Sequence, residues 1–200
     1  MTNKRLILGV VTALIATVLS APLAQAAFTV TLTQVGPNVV ATGSGTINTT
    51  DLEPDSTANS FGHMIPGDGG MFVGEGAIKF YFPSDFVLDG PTSFGGGIDP
   101  IPANSASGVI VGLFKFGNEL ALPQDYVSGT PLTDSATYDN ATLSGLTVSP
   151  GIYVWTWGSG ANADSFTLKA GVPEPATLGL LALGLFGGAG ARFARRKRSH

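Results

Sequence analysis

Over residues 27–172 apolar and β-branched side chains alternate with polar ones at a period of two, and this alternation restricts the possible folds more than any other feature of the chain. Phe28, Val30 and Leu32 fall on one face of an extended segment, with Thr29, Thr31 and Thr33 on the other, the pattern of a half-buried strand. An outward row of threonines is ordinary in an antiparallel sheet. The alternation returns at residues 39–47, 77–82, 109–116, 137–143, 152–157 and 165–169. Clusters such as Pro66-Gly67-Asp68-Gly69-Gly70 and Ser149-Pro150-Gly151 punctuate these runs as turns, and no stretch between them carries a helical period. Seven or more short strands over 27–171 predict an all-β domain, an antiparallel β-sandwich or a jelly-roll-like fold. Residues 94–108 are the longest region without a strand signal, and loops of that length are often functional.

Composition narrows the chemistry. The 28 glycines among 200 residues supply turns, yet with 13 prolines they stay below the share of a disordered chain. The absence of cysteine excludes a disulfide-stapled mini-domain, a zinc finger, a cysteine nucleophile and thioether-linked haem. Between residues 27 and 172 three bases (Lys79, Lys115 and Lys169) stand against thirteen acids. Such a surface repels phosphate backbones, so nucleic acid is excluded as a partner.

The two ends read as addresses. Lys4 and Arg5 precede an apolar run at residues 6–19, and Ala24-Gln25-Ala26 forms a small-residue exit, so residues 1–26 read as a secretory signal peptide cut before Ala27. Export machinery and signal peptidase are the implied partners. The run of 14 residues spans about 21 Å as a helix, short of a hydrocarbon core of ~30 Å. At the other end, residues 176–191 carry no charge and are followed by Arg192, Arg195, Arg196, Lys197 and Arg198. This is a stop-transfer pattern: Pro173 and Pro175 bar a helix before 176, and the basic cluster stays cytoplasmic. A single transmembrane helix over 176–191 then places 27–172 outside the inner membrane.

The order Val172-Pro173-Glu174-Pro175-Ala176-Thr177, then a Leu/Gly-rich apolar segment, then Arg195-Arg196-Lys197-Arg198, resembles the PEP-CTERM protein-sorting tail of Gram-negative bacteria. The same tail is also named an ice-binding protein C-terminal domain, a label that belongs to the tail and says nothing of ice. The resemblance covers residues 172–200 and implies that a membrane-embedded exosortase recognises Pro173, Glu174 and Pro175 and removes the anchor. It further implies an exopolysaccharide-producing, biofilm-forming setting, with a product at the cell surface or in the extracellular matrix. The hairpin at residues 146–168 is similar to the last hairpin of many such exoproteins. On physical grounds, two prolines around Glu174 favour an extended backbone that an enzyme can bind without melting a helix.

Candidate chemistry in the domain is sparse. His63 is the single histidine between residues 27 and 172, in Phe61-Gly62-His63-Met64, and no Gly-x-Ser-x-Gly or Ser-x-x-Lys motif accompanies it. A catalytic role is therefore not expected, and one histidine without cysteine makes no transition-metal site. Asp68, Glu75, Asp85, Asp89, Asp99, Asp134 and Asp139 lie in or near predicted turns, where carboxylates ordinarily cap backbone and occasionally bind calcium. No metal or other cofactor is expected. Tyr153, Trp155 and Trp157 share one strand face: buried, they are core; exposed, they are candidate glycan contacts. A non-catalytic structural or interaction role is the expectation, with a polysaccharide-active hydrolase or a carbohydrate-binding module as the alternative.

Overall fold

The computed structural model describes residues 27–172, which form two β-sheets packed face to face. The first sheet has the order β10 (Gly151–Trp157), β11 (Asp164–Ala170), β1 (Phe28–Val35), β2 (Asn38–Gly45), β9 (Leu132–Tyr138) and β6 (Ser105–Gly108). The second has β5 (Ile101–Pro102), β3 (Leu52–Ile65), β4 (Gly70–Pro83), β7 (Val111–Phe114) and β8 (Glu119–Pro123). The expected all-β class and two-sheet packing hold. The signal peptide and the apolar span 176–191 lie outside the described residues.

Alternation becomes core where the sheets meet. Phe28, Val30 and Leu32 of β1 are fully buried and pack in one cluster with Val39, Ala41, Leu132, Ala136 and Leu168 of the same sheet and Met64, Met71, Val111, Leu113 and Leu120 of the other. Burying such a side chain is worth about 1.5–3 kcal/mol, so these inward rows supply the main driving force.

Three expectations need correction. The first sheet is mixed: β1 and β11 run parallel, from Phe28 opposite Phe166 to Leu32 opposite Ala170, while the other ladders are antiparallel. Side-chain alternation carries no information on strand direction, because the inward rows are the same in both. The strand expected at residues 137–143 is β9, Leu132–Tyr138, which ends where that expectation began. The 94–108 stretch is not strandless: it contains β5 and β6, and Phe94 is buried.

The longest unexpected strand, β3, left no trace in the alternation. β3 is 14 residues long, but residues 53–59 are exposed, so no apolar row marks them. Pairing to β4 along its length holds β3 in place. Charged Glu53 and Asp55, with Pro54 between them and an adjacent register shift, blunt its free edge against further strand addition.

Candidate functional site

β11 lies between β1 and β10, and at its end the Gly171 amide donates to the Leu32 carbonyl at 2.8 Å. Gly171 has φ 60, and a Cβ there would lie 2.8 Å from Leu143 Cδ1, so glycine suits both the turn and the space. Ala170, the last strand residue, stands three positions before Pro173. The chain starts its fold at the opposite end of the same strand pair: Ala27 is exposed, its carbonyl accepting the Thr46 amide at 3.2 Å. The parallel pairing thus places Ala27 and Gly171 at opposite ends of the sheet. Ala24 and Ala26, the motif Pro173, Glu174 and Pro175, and the basic residues Arg192, Arg195, Arg196, Lys197 and Arg198 fall outside the described residues. Among the described residues, no helix is long and apolar enough to cross a membrane.

The aromatic strip of β10 belongs to the core. Trp155 is 0% and Trp157 3% exposed, so neither offers a ring face to a glycan. Trp155 meets Phe94 and Phe166 edge-on, and its Nε1–H donates to the Pro91 carbonyl at 2.8 Å. Tyr153 is half-buried and donates its hydroxyl to the Ser149 carbonyl. The solvent face of this strand presents Ile152 and Val154 instead.

Accessible aromatic surface lies on the second sheet. β7 is antiparallel to the first half of β4 and to β8, and β8 is antiparallel to the second half of β4. These pairings require β4 to change direction between its halves. The change falls at Gly74 and Gly76, whose φ values of 89 and 133 only glycine adopts without strain. Beside the main core, a second cluster of Phe72, Ile78, Ile110 and Ala121, flanked by Phe80 and Phe114, forms on this sheet.

A groove of about 220 Å³ opens over that cluster, lined by residues of both β4 halves, β3, β7 and β8. Phe72 and Phe80 line it, with Asn59, Ser60, His63 and Glu119 supplying polar groups. Phe72 fills the space over Gly112, where a Cβ would overlap its ring. The His63 ring stacks on Phe72 at 4.3 Å between centroids and 10° between planes. His63 Nδ1 lies 2.8 Å from the Phe61 carbonyl, an acceptor, so that nitrogen carries a proton. A backbone carbonyl therefore occupies the position a relay carboxylate would take. Burial raises the pKa of Glu119, and the Asp55 charge raises it further.

Among the described residues no group of three or more His, Cys, Asp or Glu side chains could hold a metal ion. Asp134, expected near a turn, instead sits within β9 and points into the core between Leu132 and Ala136. Neither of its oxygens makes a hydrogen bond of ordinary geometry, and burial pushes its pKa up to about 8, opposed only in part by the nearby Gly43 amide. Asp164 is also buried, but it accepts the Asn48 and Ser165 amides, each at 2.6 Å. Burial raises its pKa while those two amides lower it. Asp164 was not singled out in the sequence, although it opens a strand after a turn.

No curated protein matches this chain, and no solved structure does. Residues 171–198 match the family model of the PEP-CTERM protein-sorting motif, so the chain ends in the tail of an exported exosortase substrate, its motif region beginning where β11 stops.

Proposed function

We infer that this chain is an exported protein whose anchor an exosortase removes, and whose β-domain then serves at the cell surface or in the extracellular matrix in a non-catalytic, structural or interaction role linked to exopolysaccharide or biofilm. Export machinery and signal peptidase act at the first end, exosortase at the second, and the inner membrane holds the chain in between. The observation that carries this reading is the sorting-motif match at residues 171–198, adjoining a strand that ends at Ala170. A folded unit complete at that point needs nothing from the tail once it is cut.

The non-catalytic part draws on the two buried carboxylates. Asp134 on β9 and Asp164 on β11 are separated by β1 and β2, three strand spacings or roughly 14 Å. Glycoside hydrolysis needs two carboxyl groups about 5–9.5 Å apart.

The test is the intact mass of the protein from the host's culture fluid and membranes. The expected secreted species begins at Ala27 and ends near Pro173 to Ala176. Replacing Pro173, Glu174 and Pro175 by Ala should leave the full-length form in the membrane fraction, and normal release of that variant would refute the assignment.

A carbohydrate-binding role is the second reading, favoured by the groove over half-buried Phe80 and Phe114 with Asn59, Ser60, His63 and Glu119 around it. Aromatic faces beside hydrogen-bonding groups suit a sugar ring. Affinity electrophoresis in the host's exopolysaccharide should then show retardation that His63→Ala weakens. Equal mobility with and without polysaccharide would reject this reading.

A further inference from the structure

The exit of the tail from β11 determines which end of the domain faces the bilayer before cleavage. Gly171 is tied to the Leu32 carbonyl, and only five residue steps separate it from Ala176, where the uncharged segment begins. Even fully extended, those steps span about 18 Å. The interfacial zone of a bilayer takes up roughly 5–8 Å of that on each side. What remains is about 10–13 Å, comparable with a Debye length of ~8 Å, so charges at this end feel the membrane surface.

A continuous set of loops forms that end. Gln34 donates to the Ala141 carbonyl beside the β1–β2 turn, and the Ser149 amide to the Phe94 carbonyl. The Gly96 amide donates to Thr147 and the Gly67 amide to Gly97, which brings Ile98 and Asp68 into the same set. The acids here, Asp68, Asp99 and Asp139, are accompanied by Lys169, whereas the Lys115 ammonium reaches toward the other end and donates to the Leu88 carbonyl. Lys169 lies one residue before the end of β11.

The opposite end is built from the segments around Ile47, Asp51, Thr156 and Asn162, joined by the Tyr126 hydroxyl to Ile47 and by Asp51 to Asn162. It carries Asp51, Glu53, Asp85, Asp89 and Asp125, with the Lys115 ammonium at its border beside Leu88. Exposed apolar side chains occur at both ends, Val35 and Ile98 at the exit and Phe86 and Val127 opposite, so they do not decide the orientation. Tether length and charge do.

We propose that, before the tail is cut, the exit end of the domain, with Val35 and Ile98 at its surface, rests against the anionic headgroup layer of the bilayer, and that the acid-rich end points away. The inference rests on residues 176–191 acting as the anchor. Charge repulsion and the short tether act together: the tether brings the less acidic end close, and screened repulsion from anionic headgroups disfavours tilting the more acidic end toward them.

The chain has no cysteine, so single labels report unambiguously. Val35→Cys, Ile98→Cys, Phe86→Cys and Val127→Cys variants of the full chain are purified from membranes of cells lacking exosortase, labelled with a fluorophore and reconstituted in phosphatidylglycerol-containing vesicles with nitroxide on the lipid headgroups. The expected result is at least twofold stronger quenching at positions 35 and 98 than at 86 and 127. Equal quenching at all four positions, or stronger quenching at 86 and 127, overturns the orientation. Failure of the chain to float with the vesicles overturns the anchor reading as well, which flotation alone reveals. Shielding of 35 and 98 that requires added exosortase overturns the bilayer as the partner and assigns this end to the enzyme.

Discussion

The carboxyl group of Asp134 occupies the space above Gly43 on the neighbouring strand: a Cβ at Gly43 would overlap Asp134 Oδ1 and lie 2.7 Å from Phe28 Cζ. The smallest residue on β2 and an unpartnered acid on β9 thus make one feature, an acidic group sealed between two strands in the core. A buried carboxyl without partners is stable there mainly as the neutral acid.

Asp134 should therefore make stability depend on pH. Its folded-state pKa is raised to about 8, above an ordinary carboxyl near 3.9. The folded state holds the proton more tightly, so this contribution is fully present below pH ~4 and is lost as pH rises toward 8. The loss is bounded at the order of 5 kcal/mol. Asp134→Asn should flatten this decline: in urea denaturation at pH 5 and pH 8.5, the variant should gain on the native chain at the higher pH. A gap between the two that is the same at both pH values would contradict a buried acid at this position. Asp164, also raised by burial, keeps some decline in both proteins.

Gly43→Ala should destabilise the fold by about 1–3 kcal/mol through overpacking against Asp134 and Phe28. Because both neighbours crowd the site, Asp134→Ala in the same chain should relieve only part of the cost. A double-mutant cycle on thermal or urea unfolding gives the coupling, and strict additivity would show that the two residues do not share this space.

Trp155 and Tyr153 should behave differently although they neighbour each other on one strand face. Trp155→Ala removes a fully buried ring and leaves the Pro91 carbonyl without its donor, an expected loss of about 3–5 kcal/mol. Tyr153→Ala, at a half-buried position, should cost less. Chemical denaturation of both variants checks the order, and a mild effect at Trp155 would reopen an exposed role for the strip.

His63→Ala should cost about 0.5–1.5 kcal/mol by uncovering one face of Phe72, with His63→Phe recovering part of it. Urea midpoints measure this directly. No loss in either variant would mean that the stacked ring contributes nothing to the second cluster.

Much of the architecture was legible in the chain because the strands that build the main core expose one face and bury the other. β1, β10 and β11 are the clearest cases. β3 was invisible for the opposite reason: with residues 53–59 solvated on both sides, nothing selects apolar side chains at alternate positions. Asp134 shows a signal that was present and passed over. It sits in register with Leu132, Ala136 and Tyr138, an inward row in which an acid is the exception, yet aspartate is so common in turns that composition argued for one.

The groove left less trace. It needs Gly74 and Gly76 to redirect β4, and it gathers His63 from one strand with Phe72, Phe114 and Glu119 from three others. Two glycines at the close of a buried run have many uses, and only the ladder pairings show that these two let one strand serve both β7 and β8.

By itself the chain determines that residues 27–172 fold as strands and that a sorting tail follows, since a period of two and a short linear motif are both written in consecutive residues. Strand direction, the burial of Trp155 and Trp157, the sealed Asp134 and the end from which the tail leaves were decided by tertiary structure. Each depends on which strand lies beside which, and that choice is made by the summed burial of rows far apart in the chain.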